Sequence, residues 1–410
     1  MKAFNWLSRL RKDTRGNVIA IGVTAMPMLI AAAAIGVDTI QISLWKSQLQ
    51  RSADSSALAG AYALSQGKNV NAAVNRSIVL NDAIVPTTID ARNAPTAGPF
   101  TGDATAVRVV LTAQRTAPFM AFFGTTPPNV RVEATARVIV PGEFCMLSLY
   151  EGTDPGIDAN GGANVTLGCG IAANSRGTNS IEAGGNSSIT ADPIIAVGGI
   201  TSGQNFLGTP KILANSSKQL DPFASVPDPV VPSGCSSAQL TQGNVPTVAG
   251  TYCFAGINVQ PSQSITLPSG TTIIVNGGDV DLQGDFTALK STIVMTGPGG
   301  AAGDLRINAQ ANITMTAPNS GPYQKIIIFR DRRAANIEVS INGGADSVLE
   351  GALYFPTSDI KFAGNAGMDV ACLQMVGQKL KFRGGATITN ICPAGSGADG
   401  LAGRIVRLVA

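Results

Sequence analysis

An uninterrupted apolar stretch lies near the amino terminus of the chain. Residues 18–37 read VIAIGVTAMPMLIAAAAIGV, a run of 20 residues without a charged side chain. About 20 apolar residues in a helix span the hydrocarbon core of a bilayer. The stretch therefore predicts a transmembrane helix, and Pro27 near its middle predicts a kink.

Basic residues precede this span and predict its orientation. The charged residues of segment 1–17 are Lys2, Arg9, Arg11, Lys12, Asp13 and Arg15. Because positive residues stay on the cytoplasmic side, this segment is expected to be a cytoplasmic tail, with the chain after residue 37 across the membrane. A buried core helix is one alternative. A cleaved signal peptide is another, although its apolar region usually has only about 7–15 residues.

Five residues define the predicted anchor: Val18, Pro27, Ala32, Gly36 and Val37. Ala32 and Gly36 form a small-x-x-x-small pair, a spacing that lets a second transmembrane helix approach closely. The lipid bilayer is thus the first predicted partner, through residues 18–37.

Helical periodicity continues beyond the span through residues 38–65. An apolar stripe recurs there in steps of three and four residues, at Ile42, Trp45, Leu49, Ala53, Ala57 and Ala61. Such spacing puts the stripe on one helix face. Its small side chains permit close packing, either on the chain's own domain or on a partner helix in an assembly.

A small α+β module is predicted to complete this region. Residues 71–83 read as a short helix, and residues 106–113 and 130–140 alternate apolar and polar side chains as strands do. The apolar segment PFMAFFGTTPPNV lies between the two strands. Residues 38–141 are therefore expected to form a neck between the membrane and the rest of the chain.

The second part of the chain shows short apolar doublets separated by turn residues. Two apolar side chains two residues apart face the same side of a strand, and the Gly and Asn residues between the doublets suit turns. The clearest doublets are Ile257/Val259, Ile265/Leu267, Ile273/Val275, Val280/Leu282, Ile293/Met295, Leu305/Ile307, Ile313/Met315, Ile326/Ile328, Ile337/Val339, Ile360/Phe362, Val370/Cys372 and Leu380/Phe382. A period just over 20 residues predicts a right-handed parallel β-helix over residues 142–395, with a β-sandwich as the alternative.

This repeat assigns equivalent positions to successive coils. The expected equivalent sets are Ile326, Val348 and Val370, in steps of 22 residues, and Ile313, Ile337 and Ile360, in steps of 24 and 23. The proline-rich residues 221–251 are predicted to leave the repeat as an excursion. Residues 396–410 are expected to form a C-terminal tail.

Six cysteines indicate disulfide bonds in the β-rich part. They are Cys145, Cys169, Cys235, Cys253, Cys372 and Cys392. An even number at wide spacing, downstream of a membrane segment, is typical of an oxidising compartment. Nearest-neighbour pairing gives 145–169, 235–253 and 372–392, and buried free thiols are the alternative. A zinc site is not expected, because the cysteines do not form the closely spaced pairs that are typical of zinc ligands.

Composition lowers the expectation of catalysis. The chain contains no histidine, the commonest general base and metal ligand. Its charged fraction of 13% and its 47 glycines suit a β-rich extracytoplasmic protein. The net charge of +3 gives no reason to expect nucleic-acid binding. Asp279, Asp281 and Asp285 are the best carboxylates for polysaccharide chemistry, but their spacing also suits ordinary outward-facing residues.

Arginines form the second candidate group. Arg330, Arg332 and Arg333 could contact an anionic glycan or a partner, or could form the charged corner of one coil. We predict no catalytic residue, no cofactor and no metal site.

The amino-terminal third resembles a known family. The residues that carry the likeness are Arg15-Gly16 before the span, Gly36-Val37-Asp38 at its end, and Leu49-Gln50, Ala53-Asp54 and Ala57-Leu58-Ala59-Gly60-Ala61 in the helix that follows. They resemble the N-terminal region of the TadG-like branch of the Tad/Flp (tight adherence) pilus-assembly proteins. The later FMAFFG and VRVEATARV segments resemble the module that closes this region, so the likeness covers roughly residues 15–140.

Two features of related proteins are missing. Prepilins carry a glutamate five residues after the cleaved glycine, and here Ile21 stands at that distance from Gly16. Some TadG-like proteins carry a D-x-S-x-S metal motif in a von Willebrand A domain, and this sequence contains none. Prepilin-type cleavage and that metal site are therefore not expected.

The resemblance implies a non-enzymatic, membrane-anchored assembly or scaffold component of a Tad/Flp-type pilus. The anchor would cross the bacterial inner membrane once, with its N-terminus in the cytoplasm and the β-helix in the periplasm. Other pilus-assembly proteins and envelope glycan are the candidate partners there. A secreted or surface adhesin that binds glycan is the alternative, and a carboxylate-dependent polysaccharide lyase or hydrolase is a weaker one.

Overall fold

The computed structural model describes residues 17–81, 84–122, 126–201, 203, 205–342, 347–363, 367–370, 372–390 and 401–409. The chain divides into two compact units. Unit 1 is residues 1–139 together with 406–410, and unit 2 is residues 140–405. The described chain is mainly β, with a long apolar helix near its N-terminus, as the sequence predicts.

Unit 1 packs helices on an antiparallel sheet. Its helices are α1 (Asn17–Ser65), α2 (Val70–Leu80) and α3 (Pro118–Phe122). Its strands, in their order across the sheet, are β1 (Thr88–Asn93), β2 (Ala106–Gln114), β3 (Asn129–Ile139) and β29 (Ile405–Leu408). The fourth strand comes from the far end of the sequence, so this sheet is completed only after the chain has passed through unit 2.

The apolar stripe of α1 packs on this sheet. Its fully buried members are Leu49, Ala53, Ala57 and Ala61. They share one cluster with the inward side chains of β2 and β3. A β-carbon on Gly60 would lie 2.9 Å from side-chain carbons of both Val107 and Val74, so the backbones approach closely here. The stripe therefore packs on the chain's own domain, the first of the two partners that the sequence left open.

Unit 2 is a parallel β-solenoid of about ten turns. Its strands before residue 214 are β4 (Glu143–Ser148), β5 (Ile157–Ala159), β6 (Asn164–Leu167), β7 (Gly170–Ala173), β8 (Ile181–Ala183), β9 (Ser188–Thr190), β10 (Ile194–Ala196) and β11 (Ile212–Leu213). Those after residue 238 are β12 (Gln239–Leu240), β13 (Thr251–Phe254), β14 (Gly256–Val259), β15 (Ser264–Leu267), β16 (Thr272–Asn276), β17 (Val280–Leu282), β18 (Asp285–Ala288), β19 (Thr292–Thr296), β20 (Leu305–Ile307), β21 (Ile313–Thr316), β22 (Ile326–Arg330), β23 (Glu338–Asn342), β24 (Val348–Ala363), β25 (Gly367–Val370), β26 (Cys372–Arg383), β27 (Thr387–Asn390) and β28 (Leu401–Ala402).

The parallel strands stack in three ladders, named here faces A, B and C. In stacking order, face A is β13, β16, β19, β22, β24, β26, β4, β7, β10 and β11. Face B is β12, β14, β17, β20, β23, β24, β26, β5 and β8. Face C is β15, β18, β21 and β24, followed by β25, β27, β6 and β9. The long strands β24 and β26 turn corners and so contribute to more than one face.

The coils do not stack in the order of the sequence. Met375 of β26 lies opposite Met146 of β4, and Leu380 of β26 lies opposite Ile157 of β5. The last coil of the sequence therefore stacks against the first. Along the solenoid, residues 239–390 come first and residues 143–213 follow. Residues 214–238, named the return segment, connect the two ends.

Both runs of coils build one core. Ile171 and Ile194 from the first run lie in the same buried cluster as Ile273 and Ile293 from the second. A single coil cannot bury its own inner face, and stacking makes the core continuous. The inner face of the solenoid is therefore closed across the junction between the first and last coils.

Several of the equivalences predicted from the repeat are wrong, although Val348 and Val370 both lie on face C. Ile326 lies on face A opposite Ala352, whereas Val348 lies on face C opposite Thr314. In the same way, Ile313 belongs to β21 on face C and Ile360 to the face B part of β24. The cause is unequal coil length, since face A neighbours Ile273 and Ile293 are 20 residues apart, and Ile293 and Ile328 are 35 apart. A constant step therefore drifts from one face to the next.

The described part of the expected C-terminal tail is paired. Leu401 of β28 lies opposite Phe144 of β4 in an antiparallel pair, and β29 lies beside β3 in the sheet of unit 1. The return segment holds the residues between them, because the Ser217 hydroxyl donates to the Arg404 carbonyl oxygen over 2.7 Å. These residues close both units rather than trailing from them.

Candidate functional site

The first half of α1 presents an uncovered apolar surface. Ile21, Met28 and Ile35 are 63%, 76% and 69% exposed, and only 11% of the apolar window in this helix is buried. The helix is long and apolar enough to cross a membrane. A core helix would bury such side chains, so the exposure disfavours the buried-helix alternative. A signal sequence would show the same exposure.

The predicted anchor residues with described side chains all lie on this surface. Pro27, Ala32, Gly36 and Val37 are exposed, and α1 continues through Pro27. A β-carbon on Gly36 would meet no atom within 4 Å, so the side of Ala32 and Gly36 is open to another helix. The side chain of Val18 lies outside the described residues.

Asp38 is buried, although the residues around it on α1 are mostly exposed. Its buried carboxylate accepts hydrogen bonds from the backbone N–H groups of Phe119, over 3.3 Å, and Met120, over 2.8 Å. These groups belong to the first turn of α3, where backbone N–H groups have no partner within the helix. Asp38 therefore ties α3 to the end of the apolar span, a role that its place in the Gly36-Val37-Asp38 motif did not reveal.

Arg330 is buried inside unit 2. It is 1% exposed and donates hydrogen bonds to the carbonyl oxygens of Ala302, Gly303 and Ala335 and to the Ser358 hydroxyl. Burial lowers the pKa of its guanidinium, while the nearby carboxylates of Asp304 and Asp331 act in the opposite direction. All these contacts are with its own chain, so Arg330 serves the interior of one coil.

The neighbouring arginines hold the return segment. Arg332 donates to the carbonyl oxygens of Phe223 and Ala224, each over 3.0 Å. Arg333 donates to the Pro229 carbonyl oxygen over 3.0 Å. In the structure each of the three arginines, Arg330, Arg332 and Arg333, is hydrogen-bonded to groups of unit 2. Their contact with an anionic partner stays a prediction.

The return segment runs back along the solenoid. Gln219 contacts Asn174 beside β7, and Asp221 accepts a hydrogen bond from the Tyr354 hydroxyl of β24 over 2.7 Å. The Phe223 ring meets the Tyr354 ring edge-on, with centroids 5.4 Å apart. Further along, the segment reaches Arg332 and Arg333 after β22 and ends at the disulfide to β13. Its partners thus appear in reverse stacking order. Of the predicted excursion, residues 221–238 belong to this segment, whereas Gln239–Leu240 form strand β12 of face B.

Two disulfides join nearest neighbours in the sequence. Cys145 is bonded to Cys169, with Cα atoms 5.8 Å apart, and Cys235 to Cys253, with Cα atoms 4.9 Å apart. Both pairs are those of the nearest-neighbour prediction. Cys372 is also disulfide-bonded, and its predicted partner Cys392 lies outside the described residues.

The three candidate carboxylates do not converge. Asp281 points outward on face B between Asn258 and Arg306 of the neighbouring coils, and Asp285 begins β18 on face C. Asp279 accepts a hydrogen bond from the backbone N–H of Asp304. Among the residues that the structure describes, no group of three His, Cys, Asp or Glu side chains is placed to hold a metal ion.

Comparison with known proteins supports the resemblance of the amino-terminal region. Residues 16–63 match the family model Tad, described as Flp pilus-assembly TadE/G-like. The match covers the apolar half of α1, Asp38 and most of the packed half. Neither the curated proteins nor the solved structures give a match to this chain.

Proposed function

We propose that this chain is a non-enzymatic, membrane-anchored assembly or scaffold component of a Tad/Flp-type pilus. The observation that carries the proposal is α1, which matches the TadE/G-like family over residues 16–63. Its first half is exposed and apolar, and its second half packs one face into the core of unit 1. One helix thus connects a membrane-type surface directly to a folded module.

The proposed topology places residues 1–17 in the cytoplasm and unit 2 in the periplasm of a bacterium. The basic residues before the span support this orientation. The disulfides Cys145–Cys169 and Cys235–Cys253 support an oxidising compartment for the solenoid.

The proposed role is contact rather than catalysis. The sequence contains no histidine, and Asp279, Asp281 and Asp285 face different surroundings in the solenoid. The chain enters unit 2 before β4 and leaves it after β28, and these two strands pair with each other. Both connections therefore join coils inside the stack, and the two end coils, around β11 and β13, are the proposed contact surfaces for pilus or envelope partners.

Face C favours a second candidate function, an adhesin that binds glycan. Three successive coils place Thr387, Asn164 and Ser188 opposite one another. Two residues further, Thr389, Thr166 and Thr190 form a second row. Rows of outward hydroxyl and amide groups can exchange hydrogen bonds with sugar hydroxyls.

The test is the mature N-terminus of the protein in its own cell, together with pilus formation. Mass spectrometry of the membrane fraction is expected to find a chain beginning at or near Met1 that resists alkaline extraction. Deletion of the gene is expected to abolish pili. A start near Ile35 in a soluble fraction, with pili intact after deletion, would instead favour the secreted adhesin. A start at Asn17 would move the protein from assembly factor to pilus subunit.

A further inference from the structure

An aromatic tip lies beside the end of the apolar span. Helix α3 is the segment Pro118–Phe122, and its residues Phe119 and Phe122 are 38% and 84% exposed. We name these two side chains the exit patch. Exposed apolar side chains that lie together on a surface can mark a site of contact with a protein or a membrane.

The position of α3 relative to the span is fixed by two hydrogen bonds. Its backbone N–H groups at Phe119 and Met120 donate to the carboxylate of Asp38. Asp38 directly follows Val37, the last residue of the uncharged run. The short helix that carries the exit patch is therefore bonded to the residue next to Val37, where α1 would leave the hydrocarbon core.

The depth of this point follows from helix geometry. A helix rises about 1.5 Å per residue, and each interfacial layer of a bilayer is roughly 5–8 Å thick. With Val37 at the edge of the hydrocarbon core, Asp38 to about residue 42 lie in that layer. Exposed Ile40 falls within it and continues the apolar surface of α1. Water is scarce near the hydrocarbon core, and the backbone N–H groups of α3 provide the hydrogen-bond donors that the carboxylate of Asp38 needs there.

Charge and ring chemistry next to the exit patch suit lipid headgroups. Arg115 is exposed, and its guanidinium lies 5.9 Å from the centroid of the Trp45 ring, about 10 Å along α1 beyond Asp38 and so on the water side of the interfacial layer. Segment 115–122 carries no acidic residue. Aromatic residues are enriched at membrane interfaces, and basic side chains there attract anionic headgroups.

We propose that the exit patch inserts into the interfacial layer of the bilayer that α1 crosses, on the side of unit 1. The occupant of this surface is the lipid headgroup region, with Phe119 and Phe122 as the inserted side chains. Unit 1 then has a second attachment to the membrane besides α1, which restricts its rotation about the axis of the helix. The inference rests on the proposed membrane span of residues 18–37.

A depth measurement on the full chain tests the inference. The protein is reconstituted into vesicles of phosphatidylethanolamine and phosphatidylglycerol, with one nitroxide label on Phe122→Cys. The described cysteines are disulfide-bonded, so the introduced thiol takes the label. Collision rates of the nitroxide with oxygen, which partitions into lipid, and with a water-soluble nickel chelate are then compared.

Two further labels serve as controls. Met28→Cys lies in the apolar half of α1 and reports whether the span is in lipid. Val79→Cys, at a side chain that is 75% exposed, lies on α2. Its helix contacts Ser55 through Asn81, and Ser55 is 17 residues beyond Asp38, about 25 Å along α1.

The expected result is a ratio of oxygen to nickel collisions that is high at Met28, lower but above the water value at Phe122, and at the water value at Val79. A ratio at Phe122 equal to that at Val79, with Met28 still in lipid, overturns the inference and leaves the proposed anchor intact. A water value at Met28 overturns both. Adding Phe119→Ser to the labelled chain is expected to lower the ratio at position 122, because the patch then loses its remaining aromatic side chain.

Discussion

At the scale of single residues, the solenoid is stabilised by buried polar side chains that the sequence pattern would place on its surface. Arg330 satisfies three carbonyl oxygens and one hydroxyl in the interior. Hydrogen bonds to a charged group contribute about 1.5–3 kcal/mol each, and buried acceptors left without a donor add a cost. A charged residue within an apolar core can thus be a structural residue of one coil.

Replacing Arg330 is expected to destabilise unit 2 strongly. Arg330→Met leaves the carbonyl oxygens of Ala302 and Ala335 without their donor, and we expect the free energy of unfolding to fall by about 3 kcal/mol. Urea unfolding followed by circular dichroism measures the change. The matched control is Arg306→Met, an exposed arginine paired with Asp304 over 2.9 Å, for which a change within about 0.5 kcal/mol is expected. Equal losses in the two variants would show that Arg330 has no special role.

Asp331 gives a prediction on pH dependence. Burial alone would raise the pKa of its carboxyl, but hydrogen bonds from Arg333 and Thr296 hold the pKa below its usual value. A lowered pKa in the folded protein contributes stability above the unfolded value of about 3.9, and this contribution is lost as the pH falls towards the folded pKa. We expect Asp331→Asn to be less stable than the natural chain at pH 7 and the gap to narrow below about pH 4.

The pH series from 7 to 3 by urea unfolding checks this expectation. Thr296→Val removes one of the two residues that donate hydrogen bonds to the carboxylate, at 2.6 Å. This variant should reduce the pH dependence of the free energy of unfolding only partly. A difference in stability between the natural chain and Asp331→Asn that grows as the pH falls would contradict a lowered pKa of Asp331.

The residues at the membrane exit show where sequence reasoning stops. The apolar segment around Phe119 and Phe122 was evident, and Asp38 stood in a recognisable motif. Their relation was not, because the carboxylate of Asp38 meets the backbone of Met120 across 82 residues of sequence. A hydrogen bond between a side chain and a distant backbone group leaves no periodic pattern.

At the scale of elements, the junction between β26 and β4 joins parts of the solenoid that are far apart in the sequence. The Ser148 hydroxyl donates to the Gln378 carbonyl oxygen over 2.6 Å across 230 residues. Solenoid coils are stabilised mainly by their immediate neighbours. Weakening this junction should therefore loosen the two coils that meet there before it loosens the rest.

Met146→Ala tests this cooperativity. The buried side chain faces Met375, and its removal is expected to cost about 2–5 kcal/mol. Hydrogen exchange should increase in both β4 and β26, while β16 in a remote coil keeps its protection. Ile212→Ala in the end strand β11, at a side chain that is 37% exposed, is a control for a change outside the junction and should leave both β4 and β26 protected. Uniform loss of protection after Met146→Ala would contradict nearest-neighbour stabilisation.

Much of the element content was predictable because burial repeats. Doublets such as Ile257/Val259 mark inner faces, and the structure places both residues in the core. Strand β1 was missed because its six residues are almost all exposed, so no alternation reveals it. Its extended state comes from pairing with β2, which is a tertiary effect.

The stacking order could not be read from the sequence either. The doublet Leu380/Phe382 meets Ile157/Ala159 across the junction, and either pair would fit an inner face at many other levels of the stack. The return segment connects the two ends of the solenoid through contacts such as those of Asp221 and Phe223 with Tyr354, and contacts of this kind leave no periodic pattern in the sequence. Only Cys235–Cys253 gave a local hint of where that segment ends.

At the scale of the whole molecule, the last residues of the described chain complete both units. β28 pairs with β4 in unit 2, and β29 is the fourth strand of the sheet in unit 1. Between them, the backbone of Arg404 exchanges hydrogen bonds with the side chain of Gln219, each over 2.8 Å. Neither unit therefore reaches its final fold before residues 401–408 have been made.

Ending the chain at Gly400 is expected to destabilise both units at once. The sheet of unit 1 loses its β29 edge, so β3 exposes backbone groups that were paired. The return segment loses the Arg404 backbone as partner of Ser217 and Gln219, both buried, and unpaired buried groups cost about 1–3 kcal/mol each. Thermal unfolding of the detergent-solubilised full chain and of the shortened chain should show lower midpoints for every transition of the latter. Leu408→Ser keeps the strand backbone while changing an exposed side chain, and it should unfold like the natural chain. If the shortened chain lowers only the transition of unit 1, the Arg404 contacts do not support the return segment, and the solenoid is stable without its last strand.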